Sequence, residues 1–263
     1  MNIVVLLKQV PDTETKIKIG ADGKSIDTSD IKWIINPYDE YAVEAALRLQ
    51  DSVGAKVTIL SMGPERAVES IRTALAMGAD QGVLVDDPAT EGSDGLGKAK
   101  VLAAALGSLD FDLVFCGHRA VDDDENQVGI MVAEFVGLPH LGLAVSVEIE
   151  GGTVRIERPI EGARVTLQAK LPALVTFGGA HAIWNPRYAS LPGIMKAKKK
   201  PLETKTLADL GLSPEDVGVH GAKVRMTCME LPAERQAGRI IEGETAQKAK
   251  ELVRLLHEEA KVI

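Results

Sequence analysis

The stretch richest in chemistry runs from Gly117 to Gly129 and reads GHRAVDDDENQVG. Three acids in a row, Asp122, Asp123 and Asp124, precede Glu125, Asn126, Gln127 and Val128. An apolar run before it has the character of a strand, and IMVAEFVG after it has that of a helix. The amides of Asn126, Gln127 and Val128 are then expected at a helix N-terminus, where free N–H groups bind anions. The acids could bond ribose hydroxyls or an adenine amine, or they could cap the helix. A purely structural loop with N-cap acids is the alternative.

Other candidates are weaker. GSDGLGKA (Gly92–Ala99) has the Gly and Lys intervals of a P-loop. Ala99, however, stands where a Ser or Thr would hold Mg²⁺, and no strand leads directly into it. There is no GxGxxG after the first strand and no GxSxG elbow. The five histidines are scattered, and only His118 lies near a plausible ligand. Cys116 ends an apolar run and reads as core. Met62 could pad an adenine ring or fill core. The two cysteines, Cys116 and Cys228, read as free thiols of a reducing compartment, with no metal-ligand spacing.

A second unusual stretch is RYASLPGIMKAKKKP, from Arg187 to Pro201. Leu191, Ile194 and Met195 stand beside Lys196, Lys198, Lys199 and Lys200, on a segment with Pro192 and Gly193 that is too rich in breakers for an ordinary helix. An exposed apolar residue on a stiffened loop beside steering cations suits partner recognition. The alternative is a solvated basic loop whose leucine packs internally.

The elements that must position these residues follow from hydrophobic periodicity. Ile3–Val10 is a continuous apolar run, as in a strand buried on both faces. NPYDEYAVEAALRLQD reads as a helix opened by Pro37, with Asp39 and Glu40 at the positive end of its dipole. Strand-like KVTILSMG, QGVLVDD and DLVFCGH then alternate with helix-like PERAVESIRTALAMGA, LGKAKVLAAALGSL and DENQVGIMVAEFVG. Repeated βα units imply a Rossmann-like, mostly parallel sheet with helices on both faces. Beyond Leu143 the alternation of apolar and polar residues predicts antiparallel hairpins extending a sheet edge, with PALVTF returning to the core. The irregular remainder and a terminal amphipathic helix, with Leu252, Val253, Leu255 and Leu256 on its apolar side, predict an extended arm packed on something else. The expected division is an α/β nucleotide-binding domain over 1–185, then recognition loop and arm over 186–263. In open parallel sheets ligands sit beyond the carboxyl ends of the strands. There Leu6–Gln9, Asn36–Asp39, Ser61–Gly63 and Gly117–Val128 should converge.

A 263-residue chain with 45% hydrophobic residues can bury a sizeable core, and a net charge of −8 argues against general nucleic-acid binding. No run is apolar enough for a membrane span and no signal peptide is visible. Direct membrane insertion is therefore not expected. The compartment implied is a bacterial cytoplasm, or a mitochondrial matrix after processing.

LLKQVPDT, INPYDEYAVEAALRL, RTALAMGAD, AVDDDENQVG, VRIERPIEGARVTLQAKLPALVT and PRYASLPGIMKAKKK occur in the order found in the electron transfer flavoprotein β subunit. The chain resembles that family over nearly its whole length. Ala163 and Val165 depart from the family's hairpin signature. The resemblance implies an αβ heterodimer whose redox FAD lies mainly in the α subunit, with an AMP of structural role in the β subunit. Contacts to AMP carry over onto Leu6, Asn36, Pro37, Tyr38, Asp39 and Met62. They carry over likewise onto Gly117, His118, Arg119, Ala120, Val121, Asp122, Asp123, Asp124, Glu125, Asn126, Gln127 and Val128.

Val128 stands where AMP-holding members often have a hydroxyl, a feature shared with the electron-bifurcating branch, which holds a second FAD there. The DDDEN sequence and Ile130 lean toward AMP. By the same resemblance, Leu191, Pro192, Ile194, Met195, Lys196 and Lys199 form the element that docks on acyl-CoA dehydrogenases and similar flavoenzymes. The implied role is an electron carrier of fatty acid β-oxidation, passing electrons through FAD to a quinone oxidoreductase, with no catalytic residue and no metal. The alternative is the FAD-binding β subunit of a bifurcating, NADH-oxidising flavoprotein. An adenine-nucleotide sensor or hydrolase of the same architecture would need a metal or nucleophile constellation that the sequence lacks.

Overall fold

The computed structural model describes residues 1–178, 182, 184–233 and 237–263. Its centre is a seven-stranded, all-parallel sheet of β1 (Asn2–Leu6), β4 (Lys56–Met62), β5 (Gln81–Val85), β6 (Leu113–Gly117), β7 (His140–Ala144), β11 (Ala173–Phe177) and β12 (Leu202–Lys205). Their spatial order is β12-β5-β4-β1-β6-β11-β7. Successive residues of β1 feed opposite layers, as a period of two requires. Ile3 and Val5 join the core beneath α1 (Pro37–Val53) and α2 (Ala67–Met77), whereas Val4 and Leu6 join the core beneath α3 (Gly95–Leu106) and α4 (Val128–Phe135). The α/β reading holds, with helices on both faces.

The chain winds from β1 outward through β4 and β5, then crosses back to place β6 on the other side of β1. The reversal opens a crevice between the carboxyl ends of β1 and β6. PALVTF does return to the core: β11 is buried throughout and lies between β6 and β7.

Four expectations need correcting. The run Ile3–Val10 is two strands, because β1 ends at Leu6 and β2 (Gln9–Pro11) pairs antiparallel with β3 (Trp33–Ile35). The antiparallel strands β8 (Ser146–Glu150), β9 (Thr153–Ile160) and β10 (Ala163–Lys170) form their own sheet and do not continue an edge of the main one. Its Val154 and Ile156 pack into the main core.

The stretch around Leu191 is a short helix, α5 (Leu191–Ala197). Ser190 caps it by accepting from the Gly193 amide, and Pro192 falls in the first turn, where no N–H is needed. Finally, PLETK was not recognised as a strand, yet β12 extends the sheet beside β5. An edge strand of four residues, half of them exposed, carries too little pattern to be read.

The chain divides into two compact units, Met1–Thr227 and Cys228–Ile263. Residues 186–227, grouped with the arm in the sequence reading, supply α5, β12 and α6 (Gly218–Gly221) to the first unit. In the second unit α7 (Thr245–Arg254) buries none of its residues; Leu252 and Val253 remain exposed. No helix among the described residues is long and apolar enough to cross a membrane.

Candidate functional site

A cavity of about 840 Å³ opens at the crevice. Of the residues expected there, Leu6, Asn36, Asp39, Met62, Gly117, His118, Arg119, Ala120, Asp123, Glu125, Asn126, Gln127 and Val128 line it. Pro37, Tyr38, Val121, Asp122 and Asp124 do not; Pro37 opens α1, and the other four hold residues that do.

Asp39 in the first turn of α1 is the staple. Its buried carboxylate accepts from the Lys8 amide (2.8 Å) and the Gly117 amide (2.8 Å), tying the helix to the ends of β1 and β6. Burial pushes its pKa up to about 7, against the pull of those two hydrogen bonds. Gly117 is required here because a Cβ would lie 2.6 Å from both the Asp39 carboxylate and the Tyr38 side chain. Asn36, also buried, clamps the next loop. Its amide donates to the Arg119 carbonyl (2.9 Å), and its oxygen accepts from the Val121 amide (3.2 Å). Tyr38 packs edge-on to His118 and accepts from the Arg119 guanidinium at 2.8 Å. His118 lies 3.1 Å from the Phe177 carbonyl through Nδ1, and burial lowers its pKa, so it stays neutral at pH 7.

The acidic loop works differently from the expectation. None of its acids caps α4, whose N-cap residue Gln127 makes no side-chain capping bond. Lys8 Nζ instead reaches Asp122 at 2.7 Å and Asp123 at 2.8 Å, and Lys98 lies 3.4 Å from Asp123. Burial acts against the Lys8 charge, but the two acids outweigh it and raise its pKa. Burial likewise opposes ionisation of Asp123, and Lys8 and Lys98 overcome it and lower that pKa. Asp124 faces Arg119 at 3.3 Å.

The loop's composition also has a backbone reason. Asp124 and Asn126 take φ of 52° and 51°, the left-handed region that Asp and Asn tolerate best among residues with a Cβ. The helix therefore starts at Val128 and not at Asn126. Its first internal bond runs from the Met131 amide to the Gln127 carbonyl, which leaves the Val128, Gly129 and Ile130 amides without an intrahelical acceptor. Val128 and Gly129 face the cavity. An uncapped N-terminus opening into a crevice can bind an anion through those amides. Gly129 is needed because a Cβ would come within 2.7 Å of Cys116 Sγ. The Cys116 thiol is itself buried, and burial together with Asp39 pushes its pKa up, which disfavours the reactive thiolate.

Sequence reasoning missed several lining residues. Lys8 is not one of them, since it falls in the stretch Leu6–Gln9 expected at the site, and it does line the cavity. Gly92, Ser93 and Lys98, dismissed as a defective P-loop, do form part of the wall. Trp33 and Arg66 also line it, with the guanidinium 3.6 Å from the centre of the indole ring. No local signal marks that pair, which comes from the first residue of β3 and the residue before α2, 33 positions apart in the numbering. Among the described residues no cluster of His, Cys, Asp and Glu could hold a metal ion.

Around α5 the structure presents Leu191 at 81% exposure and Met195 at 74%, with Ile194 also exposed. Leu191 does not pack internally. Lys196, Lys198 and Lys199 make no ion pair among the described residues, but Lys200 is turned inward onto α2.

A family model described as "Electron transfer flavoprotein domain" matches residues 24–210. The chain is 42% identical over 266 residues to the electron transfer flavoprotein subunit beta of Bacillus subtilis, covering 100% of both chains. It is 38% identical over 258 residues to the subunit of that name from Thermoanaerobacterium thermosaccharolyticum, covering 98% of each. With its counterpart in Bos taurus it shares 40% identity over 260 residues, covering 97% of this chain and 99% of that one. A match of this extent to both family model and full-length relatives means that the chain belongs to the electron transfer flavoprotein family, as a β subunit.

Proposed function

We propose that this chain pairs with an electron transfer flavoprotein α subunit and holds AMP in the crevice as a structural ligand. It docks through α5 on acyl-CoA dehydrogenases or similar flavoenzymes, and electrons leave the heterodimer for a quinone oxidoreductase. FAD, held mainly by the α subunit, supplies the redox chemistry; the protein supplies placement and electrostatics. The observation that carries the nucleotide reading is the uncapped α4 N-terminus, with the Val128 and Gly129 amides facing the cavity at the switch point of the sheet. Leu6 and Met62 offer apolar surface to a base, and Asn36 and Asp39 fix the shape of the wall.

The exposed arm, with Leu252 and Val253 uncovered, suits packing on the α subunit. The row Leu191, Ile194 and Met195 suits insertion into an apolar pocket, with Pro192 holding the first turn and Lys196 and Lys199 facing an acidic partner surface.

A second reading puts FAD in the crevice and makes the heterodimer a bifurcating, NADH-oxidising flavoprotein. Two observations favour it: Val128 offers no hydroxyl to a phosphate, and the cavity continues past the mononucleotide contacts to Trp33 and Arg66. Denaturing the purified heterodimer and separating the released nucleotides decides between them. One FAD and one AMP support the first reading; two FAD and no AMP support the second.

A further inference from the structure

The segment carrying the exposed apolar row is fastened to α2 by an exchange of end caps. Both helices finish with carbonyls that have no intrahelical donor. Lys200, just beyond α5, sends Nζ to the carbonyls of Leu75 (2.9 Å), Gly78 (3.1 Å) and Ala79 (2.6 Å), closing the C-terminal end of α2. In return Arg72 of α2 donates from one guanidinium nitrogen to the carbonyls of Ala197 (2.6 Å) and Lys200 (2.7 Å), closing the end of α5. The α2 sequence has no basic residue in its own last turn, so its C-terminal cation comes entirely from outside.

The other end of α5 is held too. A Cβ on Gly193 would collide with the Ala76 carbonyl, so the first turn of α5 lies directly on the last turn of α2. Before α5, Arg187 forks onto the buried Glu44 (2.8 and 3.1 Å) and reaches Asp51 (2.9 Å), tying the approach to α1. Seven residues cannot hold a helix in water by themselves.

We propose that Lys200 and Arg72 are positioning residues for partner docking: their reciprocal caps hold α5 as a rigid platform for Leu191 and Met195. The inference rests on the docking role proposed above. It divides the basic cluster by function. Lys196, Lys198 and Lys199 project into solvent and act on a partner through charge, whereas Lys200 is turned away and acts through the placement of α5. Removing the Lys200 charge is then expected to change dissociation of the docked complex and leave the ionic-strength dependence of association unaltered.

The test uses the αβ heterodimer and an acyl-CoA dehydrogenase. Lys200→Met keeps the aliphatic stem and removes the cap. Lys198→Met removes a neighbouring charge that caps nothing. Arg72→Met opens the other half of the exchange and serves if Lys200→Met does not fold. Without dehydrogenase, amide hydrogen exchange in α5 should accelerate about tenfold in Lys200→Met and Arg72→Met and stay unchanged in Lys198→Met. With dehydrogenase, the two cap variants should dissociate several-fold faster at an unchanged salt slope. Lys198→Met should flatten the slope, and Lys200→Arg should restore most of the slow dissociation.

Unchanged α5 exchange in both cap variants would overturn the clasp, whatever happens to docking. Faster exchange with unaltered electron-transfer kinetics would overturn the positioning role, and the docking reading would fall with it only if Leu191→Ala also left those kinetics unaltered. A salt slope flattened by Lys200→Met as much as by Lys198→Met would return Lys200 to the steering cluster.

Discussion

Two lysine-bearing regions of the first unit use the same residue type in opposite ways. At the crevice, Lys8 and Lys98 are held by Asp122 and Asp123, and a carboxylate from α1 staples the neighbouring strand ends. Charge there is consumed inside the protein and becomes shape. At the end of α5, Lys196, Lys198 and Lys199 have no acid partner among the described residues, and the apolar side chains beside them are uncovered. Charge there stays in solvent. The comparison teaches that a basic residue's role follows from where its partner lies, which composition does not reveal. Lys200 reads as one more surface lysine of the basic cluster and is structural in the fold.

The largest effect that would break the contrast is expected at Asp39. Asp39→Asn puts an amide NH₂ against a backbone N–H that now donates to a carboxylate, and should destabilise the fold by about 3 kcal/mol and lower retained nucleotide. The pH dependence has a definite sign. The folded pKa is raised to about 7, from an ordinary carboxylate value of 3.8. Between those values the folded state binds the proton more tightly than the unfolded state, so this group's contribution falls as pH rises from about 4 to 7 and is level above 7. The wild-type advantage over Asp39→Asn, measured by urea unfolding across that range, should shrink and then plateau. A constant difference would mean that Asp39 is ionised throughout.

Next in size is Leu191→Ala. The residue is 81% exposed, so unfolding midpoints should not move, while affinity for the dehydrogenase should fall by about 2 kcal/mol, mostly through faster dissociation. A lowered midpoint with intact electron transfer would place the side chain inside and remove the contrast between the two regions.

A smaller effect is expected from replacing Lys196 and Lys199 together by Gln. Association should slow a few-fold and lose part of its salt dependence, with dissociation little changed. The corresponding change at the crevice, Lys8→Met, should leave association kinetics alone and lower stability by roughly 1 kcal/mol, because its pairs are partly exposed. Stopped-flow reduction of the heterodimer at several ionic strengths, beside urea unfolding, separates the two.

The smallest effect sharpens the nucleotide site. Val128→Thr adds a hydroxyl at the first residue of α4 and should tighten AMP by about 1 kcal/mol or less, read by calorimetry on the nucleotide-depleted heterodimer. No change would place the phosphate away from that turn.

Local sequence determined much of this protein. The alternating buried runs and amphipathic helices, and the Asp and Asn placed where the loop needs positive φ, depend only on neighbours within a few residues. The convergence of Leu6, Asn36, Met62 and the loop after Cys116 followed from a general property of parallel sheets. The tertiary structure alone decided the pairings between residues that sequence separates. Lys8 meets Asp122 across 114 positions, Lys200 meets Leu75 across 125, and β12 finds β5 at the sheet edge. A side chain's hydrogen-bond partner depends on which strand and helix ends the winding brings together. A lysine leaves the same trace in a sequence whether its ammonium ends on water, a carboxylate or a helix's last carbonyls.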